Sequence, residues 1–228
     1  MQIVYEDNHI IVVNKEPGEI VQGDKTGDEP LAEKVKAYIK DAYAKPGAVF
    51  LGVVHRLDRP VGGLVVFART SKALTRMNQM FRDGKVKKTY WALVPKTEAS
   101  NKAVGQTITL EHWLVRNEKQ NKSFAYDHEV ANSKRAVLDY TVIAVSDRYA
   151  LTEVHLHTGR HHQIRCQLAK VGLTIKGDLK YGAPRSNPDG SISLLARSIE
   201  FVHPVSKKTI ALTAPLPDDK LWQSFGIE

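Results

Sequence analysis

One cysteine, Cys166, stands in 228 residues. A disulfide framework within the chain is therefore impossible, and a cysteine-rich zinc site is excluded. Such usage fits a reducing compartment. Long apolar runs are also missing. The longest, at residues 10–13 and 64–68, are strand-sized and far short of the roughly 20 residues that span a bilayer. The N-terminus lacks the basic-then-apolar pattern of a secretory signal. No Walker loop, dinucleotide fingerprint or G-x-S-x-G elbow occurs. These absences lead us to expect a cytoplasmic protein that touches no membrane.

Positive charge, by contrast, is plentiful. Lys and Arg number 33 against 25 Asp and Glu, giving a net charge of +8 and a pI near 9.4. A basic surface favours a polyanionic partner, although solubility alone makes many proteins this basic. Hydrophobic residues at 42% and charged residues at 25% are ordinary for a folded globular chain. The length allows one sizeable core or at most two small ones. No repeat, low-complexity tract or convincing linker interrupts it, so we expect a single domain over residues 1–228.

Two short β-branched runs at residues 3–13, separated by Asp7 and Asn8, read as a hairpin or two edge strands. Leu31, Val35, Tyr38, Ile39 and Ala42 fall on one face of a helix, with Asp28 as its expected N-cap and Pro46 beyond its end. Residues 62–68 form a continuous apolar run, as a buried strand does. Ser71 is the expected cap of a helix carrying Leu74, Met77 and Phe81, which Gly84 stops. Residues 89–94 are strand-like. The polar stretch from 95 to 135 reads as hairpins or long loops. Residues 136–145 and 149–157 read as an antiparallel pair turned at Ser146 and Asp147. A helix with Ile164, Leu168 and Val171 on its apolar face follows Thr158 and Gly159. Three short strands, at 192–195, 199–202 and 209–213, close the chain. The pattern predicts an α+β fold with a mixed, largely antiparallel sheet flanked by helices.

The densest chemical signal is H-R-L-D-R at residues 55–59. One acid sits among two arginines and a histidine, just before the buried strand. Neighbouring cations keep a carboxylate ionised, and an ionised, oriented Asp58 serves as nucleophile or base. On local grounds alone a structural salt bridge is the commoner arrangement. T-G-R-H-H-Q-I-R at residues 158–165 is the second signal. Arg160, His161, His162 and Arg165 are expected to crowd the first two turns of a helix whose N-terminus is already positive. That placement calls for an anion opposite, either a buried carboxylate or a phosphate. His155 and His157, with His161 and His162, raise the question of a metal. No pair of carboxylates stands near them, so we expect surface histidines that hydrogen-bond or meet RNA. Lys87, Lys88, Tyr90 and Trp91 interleave cations with aromatics, a pattern shared by base-stacking surfaces and ordinary cores.

Together these motifs resemble the RluA-type family of RNA pseudouridine synthases, in the family's order and nearly end to end. V-N-K at 13–15 with Pro17 and Gly18 resembles the family's opening segment, with Glu16 inserted. H-R-L-D-R, then Gly63, Leu64 and Ala68-Arg69, resembles the catalytic motif. K-x-Y-x-A-L follows at 88–93, T-G-R-x-H-Q-I-R at 158–165, G-D at 177–178, Y-G at 181–182 and L-x-A-x-x-I-x-F-x-H-P at 194–204. The chain departs at Val61-Gly62-Gly63, where the family has Thr-Ser-Gly, and at Leu195, where it often has His. An S4-like RNA-binding domain, frequent in the family, is not expected ahead of the early V-N-K segment.

The resemblance implies a pseudouridine synthase-like catalytic domain with a central cleft, acting on ribosomal or transfer RNA as a monomer. It implies that Asp58 is the nucleophile, that Tyr90 stacks on the target base and takes its C5 proton, and that Arg165 pairs with the catalytic Asp. Arg56 fills the gap left by the flipped nucleotide, and Leu194 is an apolar wall. His55, Arg160 and His162 are expected to contact the substrate. Isomerisation needs no redox change or group transfer, so no cofactor or metal is expected. A glycosidase uses two carboxylates with water, whereas one Asp among cations suits attack without hydrolysis. The competing readings are a metal-dependent phosphoesterase using His155, His157 and His161, and an RNA-binding protein without catalysis.

Overall fold

Asp7 turns the chain back on itself. Its Oδ1 accepts the amides of His9 and Ile10 at 2.7 and 2.9 Å, and the strands on either side, β1 (Gln2–Glu6) and β2 (Ile10–Lys15), pair antiparallel. The expected hairpin is therefore present. The structure, a computed structural model, describes residues 1–24 and 26–227. It divides into two compact units: Met1–Lys87 with Ala196–Pro215, and Lys88–Leu195 with the segment from Leu216 onward.

In the first unit β2 pairs antiparallel with β4 (Gly62–Ala68), and every residue of both strands is buried. A strand covered on both faces carries apolar residues without alternation, which is why both segments read as continuous runs. The short β3 (Gly52–Val53) pairs with β4. Helix α1 (Leu31–Ala42) buries Leu31, Ala32, Val35 and Ile39, and α2 (Ser71–Arg82) buries Ala73 and Met77. Both caps differ from expectation. Pro30 precedes α1 without a side-chain cap, because the Asp28 carboxylate is paired with Arg59 at 2.6 Å. Thr70 caps α2, its Oγ1 accepting the Ala73 amide at 3.1 Å, and Ser71 is already helical.

The three short strands expected at the C-terminal end are two: β10 (Leu194–Val202) and β11 (Thr209–Thr213), paired antiparallel. Arg197 and Ser198 looked like an interruption. Arg197 is buried, and its guanidinium donates to the Ala214 carbonyl, so a polar residue continues the strand. Gly63, with φ +113°, lies so close to this strand that an added Cβ would sit 2.4 Å from the Ala196 oxygen.

The second unit orders its strands β5-β9-β8-β6-β7: β5 (Lys87–Pro95), β6 (Ile108–Asn117), β7 (Lys122–Tyr126), β8 (Lys134–Val145) and β9 (Tyr149–Leu156). Each consecutive pair is antiparallel. The polar stretch 95–135 thus contains regular strands after the short helix α3 (Glu98–Lys102). In β6, Leu110, His112 and Leu114 are buried while Glu111 and Arg116 are exposed. One face packs against α4 (Gln163–Lys170), and the Gln167 amide reaches the Leu110 carbonyl at 3.2 Å and His112 Nδ1 at 3.0 Å. A 3-10 turn (Leu179–Tyr181) and α5 (Lys220–Gln223) complete the unit. The class is α+β with a largely antiparallel sheet, as expected. Among the described residues no helix is long and apolar enough to cross a membrane.

Candidate active site

The loop that carries Asp58 begins where β3 stops. His55 extends the pairing from that point: its Nε2 accepts the Val66 amide at 3.0 Å, and its ring stacks on Phe81 with centroids 4.9 Å apart. Beyond it the side chains alternate. Arg56 is exposed, Leu57 is buried and Asp58 is half-buried. The Asp58 carbonyl accepts the Val61 amide at 3.0 Å, closing a turn over Arg59 and Pro60.

Lys15 fastens this turn from beneath. Its ammonium, 1% exposed, donates to the carbonyls of Glu16, Arg59 and Val61 at 2.9, 3.1 and 2.7 Å. The Gly18 amide donates to the same Arg59 carbonyl at 2.8 Å. Burial pushes the Lys15 pKa down to about 8, while the charges of Glu19, Asp58 and Glu16 pull it back. Lys15 was legible only as one letter of V-N-K. The signal that could have found it is a lysine closing an apolar run, residues 10–13, since such a buried charge has to find oxygens.

In the second unit the loop before α4 is held by Gln163. Its Oε1 accepts from Thr158 Oγ1 at 2.8 Å and from the Arg160 amide at 3.0 Å, while its Nε2 donates to the Val137 carbonyl at 3.0 Å. His162 has φ +51°, and the helix starts only at Gln163. Arg160, His161 and His162 therefore precede α4 instead of crowding its first turns. Arg160 is exposed, its Nε donating to the Arg135 carbonyl at 3.0 Å. His161 stacks on His162 with centroids 3.8 Å apart and meets Ser123 Oγ at 2.9 Å.

The anion expected beside this cationic segment includes a carboxylate of the same unit. Arg165, 5% exposed, grips Asp178, 1% exposed, through Nε–Oδ2 at 2.7 Å and Nη2–Oδ1 at 2.8 Å. Arg165 also donates from Nη1 to His162 Nε2 at 3.0 Å, and the other nitrogen of that ring meets the Tyr181 hydroxyl at 3.0 Å. Burial, then the Arg165 charge, pushes the His162 pKa down to about 2. His162 is thus neutral, not one of four cations. The Tyr181 hydroxyl accepts the Ser123 amide at 2.8 Å, which ties β7 into the network. Asp178 and Tyr181 had been visible only as members of short motifs. Tyr90 is buried on β5 and pairs with Val154, and Leu194 is buried at the start of β10.

The sheet histidines have carboxylate neighbours after all. His155 donates from Nε2 to Glu153 at 3.0 Å, and His157 from Nε2 to Asp139 at 2.6 Å. Glu153 is two residues from His155 along β9, whereas Asp139 reaches His157 from the adjacent β8, 18 residues away in sequence. Among the described residues, no group of three or more His, Cys, Asp or Glu side chains is placed to hold a metal ion.

Residues 9–170 match the family model described as RNA pseudouridylate synthase. The chain is 33% identical to an uncharacterized RNA pseudouridine synthase of Chlorobaculum parvum, over 95% of this chain and 71% of that protein. It is 32% identical to ribosomal large subunit pseudouridine synthase D of Pseudomonas aeruginosa, over 97% of this chain and 70% of that protein. The fold is similar to that of human RNA pseudouridylate synthase domain containing 4, with a TM-score of 0.77 and 23% identity over 97% of this chain and 90% of that one. The chain belongs to the RluA-type family of RNA pseudouridylate synthases and is an isomerase that converts uridine in RNA to pseudouridine.

Proposed function

We propose that Asp58 is the nucleophile of this isomerisation and that the RNA is ribosomal. The observation that carries the first assignment is the Lys15 ammonium, which fastens the carbonyls on both sides of the turn after Asp58 and feels its charge. A carboxylate needs such a fixed backbone to keep its aim through a reaction. The ribosomal assignment rests on relatives named as ribosomal large subunit pseudouridine synthases, with transfer RNA as the alternative.

In this reading a uridine is drawn from its stack at a cost of a few kcal/mol, which Arg56 offsets by occupying the gap. Asp58 attacks the nucleoside as the N1–C1′ bond breaks, and the Asp58–nucleoside bond is broken in turn as the rotated base bonds through C5, which releases the free carboxylate. The base turns, C5–C1′ forms, C5 loses its proton and N1 gains one, so atoms balance without water or cofactor. Tyr90 stacks on the base and takes the C5 proton, Arg165 supports the Asp58 carboxylate, and Leu194 lines the base. His55, Arg160 and His162 contact the RNA, as the resemblance implies. Residues 1–228 act as one catalytic domain, as a monomer, in the cytoplasm.

Mapping pseudouridine across total RNA from cells lacking the gene tests the substrate. A site that disappears from ribosomal RNA and returns with wild type but not with Asp58→Asn supports both assignments. A missing site confined to transfer RNA overturns the ribosomal one, and restoration by Asp58→Asn overturns the nucleophile.

A further inference from the structure

The β6–β7 hairpin has two unlike faces. One packs inward: Leu114 lies with Ala136 and Cys166, joined by Ala125 and Tyr181. On the other, Phe124 stands opposite Val115 and Tyr126 opposite Trp113. Phe124 is 37% exposed and Tyr126 40%, although both are large rings on a regular strand. They alternate with buried Ser123 and half-buried Ala125, so the two rings follow each other along one face. A groove of about 600 Å³ runs there, lined by Val115, Arg116, Asn117, Glu118, Lys119, Phe124 and Tyr126.

Its rim is cationic. Lys119 and Lys122 stand beside the single acid Glu118 in the segment 115–126, while Arg116, opposite the inward-facing Ser123, belongs to the other face. The Lys122 ammonium lies 5.5 Å from the Phe124 ring centroid, and Lys180 donates to the Asn121 carbonyl at 3.0 Å beside the turn. The turn itself is ordered, with the Gln120 amide donating to Asn117 Oδ1 at 3.0 Å. Two successive aromatic rings with phosphate-pairing cations along their edge form the arrangement that holds unpaired nucleotides.

We propose that the outer face of this hairpin is an RNA-docking surface, on which unpaired bases stack on Phe124 and Tyr126 while Lys119 and Lys122 take their phosphates. The proposal rests on RNA being the substrate. The surface is also wired to the catalytic arginine: Ser123, between Lys122 and Phe124, bonds Tyr181, which bonds His162, which accepts from Arg165.

The test is equilibrium binding of a labelled oligouridylate and of a fully paired RNA duplex of equal length, a readout that needs no turnover and so leaves the Asp58 assignment standing if it fails. The double variant Phe124→Ala/Tyr126→Ala is expected to lose about tenfold or more in oligouridylate affinity, with duplex binding changed by less than about twofold. The variant Phe124→Tyr/Tyr126→Phe keeps its rings and is expected to bind as wild type does, which controls for folding. Lys119→Gln/Lys122→Gln is expected to flatten the salt dependence on both RNAs. Undiminished oligouridylate binding by the double alanine variant overturns the proposal, as do equal losses on both RNAs. A change from dimer to monomer on sedimentation of that variant assigns the face to a second copy of the chain instead.

Discussion

Arg165 donates to His162 Nε2 at 3.0 Å, and this bond defines the state of the imidazole. Arginine has no lone pair to accept with, so Nε2 is the acceptor and Nδ1 carries the proton given to Tyr181. The ring is buried and faces a guanidinium, and its pKa is held at about 2 against an ordinary 6.5. The unfolded chain binds a proton there as pH falls below 6.5, and the folded chain does not. The stability contributed is therefore complete above pH 6.5 and is lost as the pH drops toward 2. Urea unfolding at pH 6.5 and pH 4 is expected to show a steeper loss for wild type than for His162→Gln, which keeps an acceptor without a titrating ring. Equal losses count against the neutral assignment.

Arg165 and Asp178 form a bidentate pair in which both partners are nearly inaccessible to water. Removing the charge of one leaves the other desolvated. Asp178→Asn is expected to lower the unfolding free energy by about 3–5 kcal/mol. A change below about 1 kcal/mol, measured by chemical denaturation, contradicts the buried pair.

Asp58→Asn is expected to fold normally and to release no tritium from C5-labelled uridine RNA. The Asp58 carbonyl, which closes the turn with Val61, is untouched by the change. Turnover close to that of wild type sinks the nucleophile assignment.

Lys15→Met removes three hydrogen bonds to carbonyls around the Asp58 turn. Charged hydrogen bonds of this kind contribute about 1.5–3 kcal/mol each, and the orphaned carbonyls add a penalty. The expected result is a lower unfolding midpoint together with a fall in single-turnover rate of more than about tenfold, with salt-dependent RNA binding retained. Loss of binding in step with rate points to general unfolding of the unit.

Excess EDTA is expected to leave isomerisation unchanged. His155 and His157 each give a ring nitrogen to a single carboxylate, and among the described residues no metal-binding group forms. Activity lost to EDTA and restored by zinc, with the RNA shown to stay folded, reverses this expectation.

The strands that read most clearly in the sequence are those buried on both faces. β2 and β4 contain uninterrupted apolar runs that no solvated element tolerates. β6 and β7 were hard to read because their inward faces include His112 and Ser123, polar residues that look like loop material until Gln167 and Tyr181 are seen to satisfy them. β10 looked broken because Arg197 finds its acceptor at Ala214, beyond the adjoining strand. In the proposed site, Asp58, Tyr90 and Arg165 were singled out because motifs bring together residue types whose chemistry is scarce. Lys15 lies 44 and 46 positions from the Arg59 and Val61 carbonyls that it holds, and Asp178 lies 13 from Arg165. Only the tertiary structure joins them.

Gly63 carries a consequence for any mutational scan of the protein. With an added Cβ 2.4 Å from one backbone atom of Ala196 and 2.6 Å from another, even alanine is barred, and φ +113° handicaps every other side chain. In a selection scored by RNA modification, Gly63 will rank beside Asp58 among the intolerant positions, although it has no functional group to contribute. The two separate on a second axis, soluble yield. With Asp58 in its proposed role, its variants are expected to accumulate as well-folded inactive protein, and Gly63 variants to vanish from the lysate.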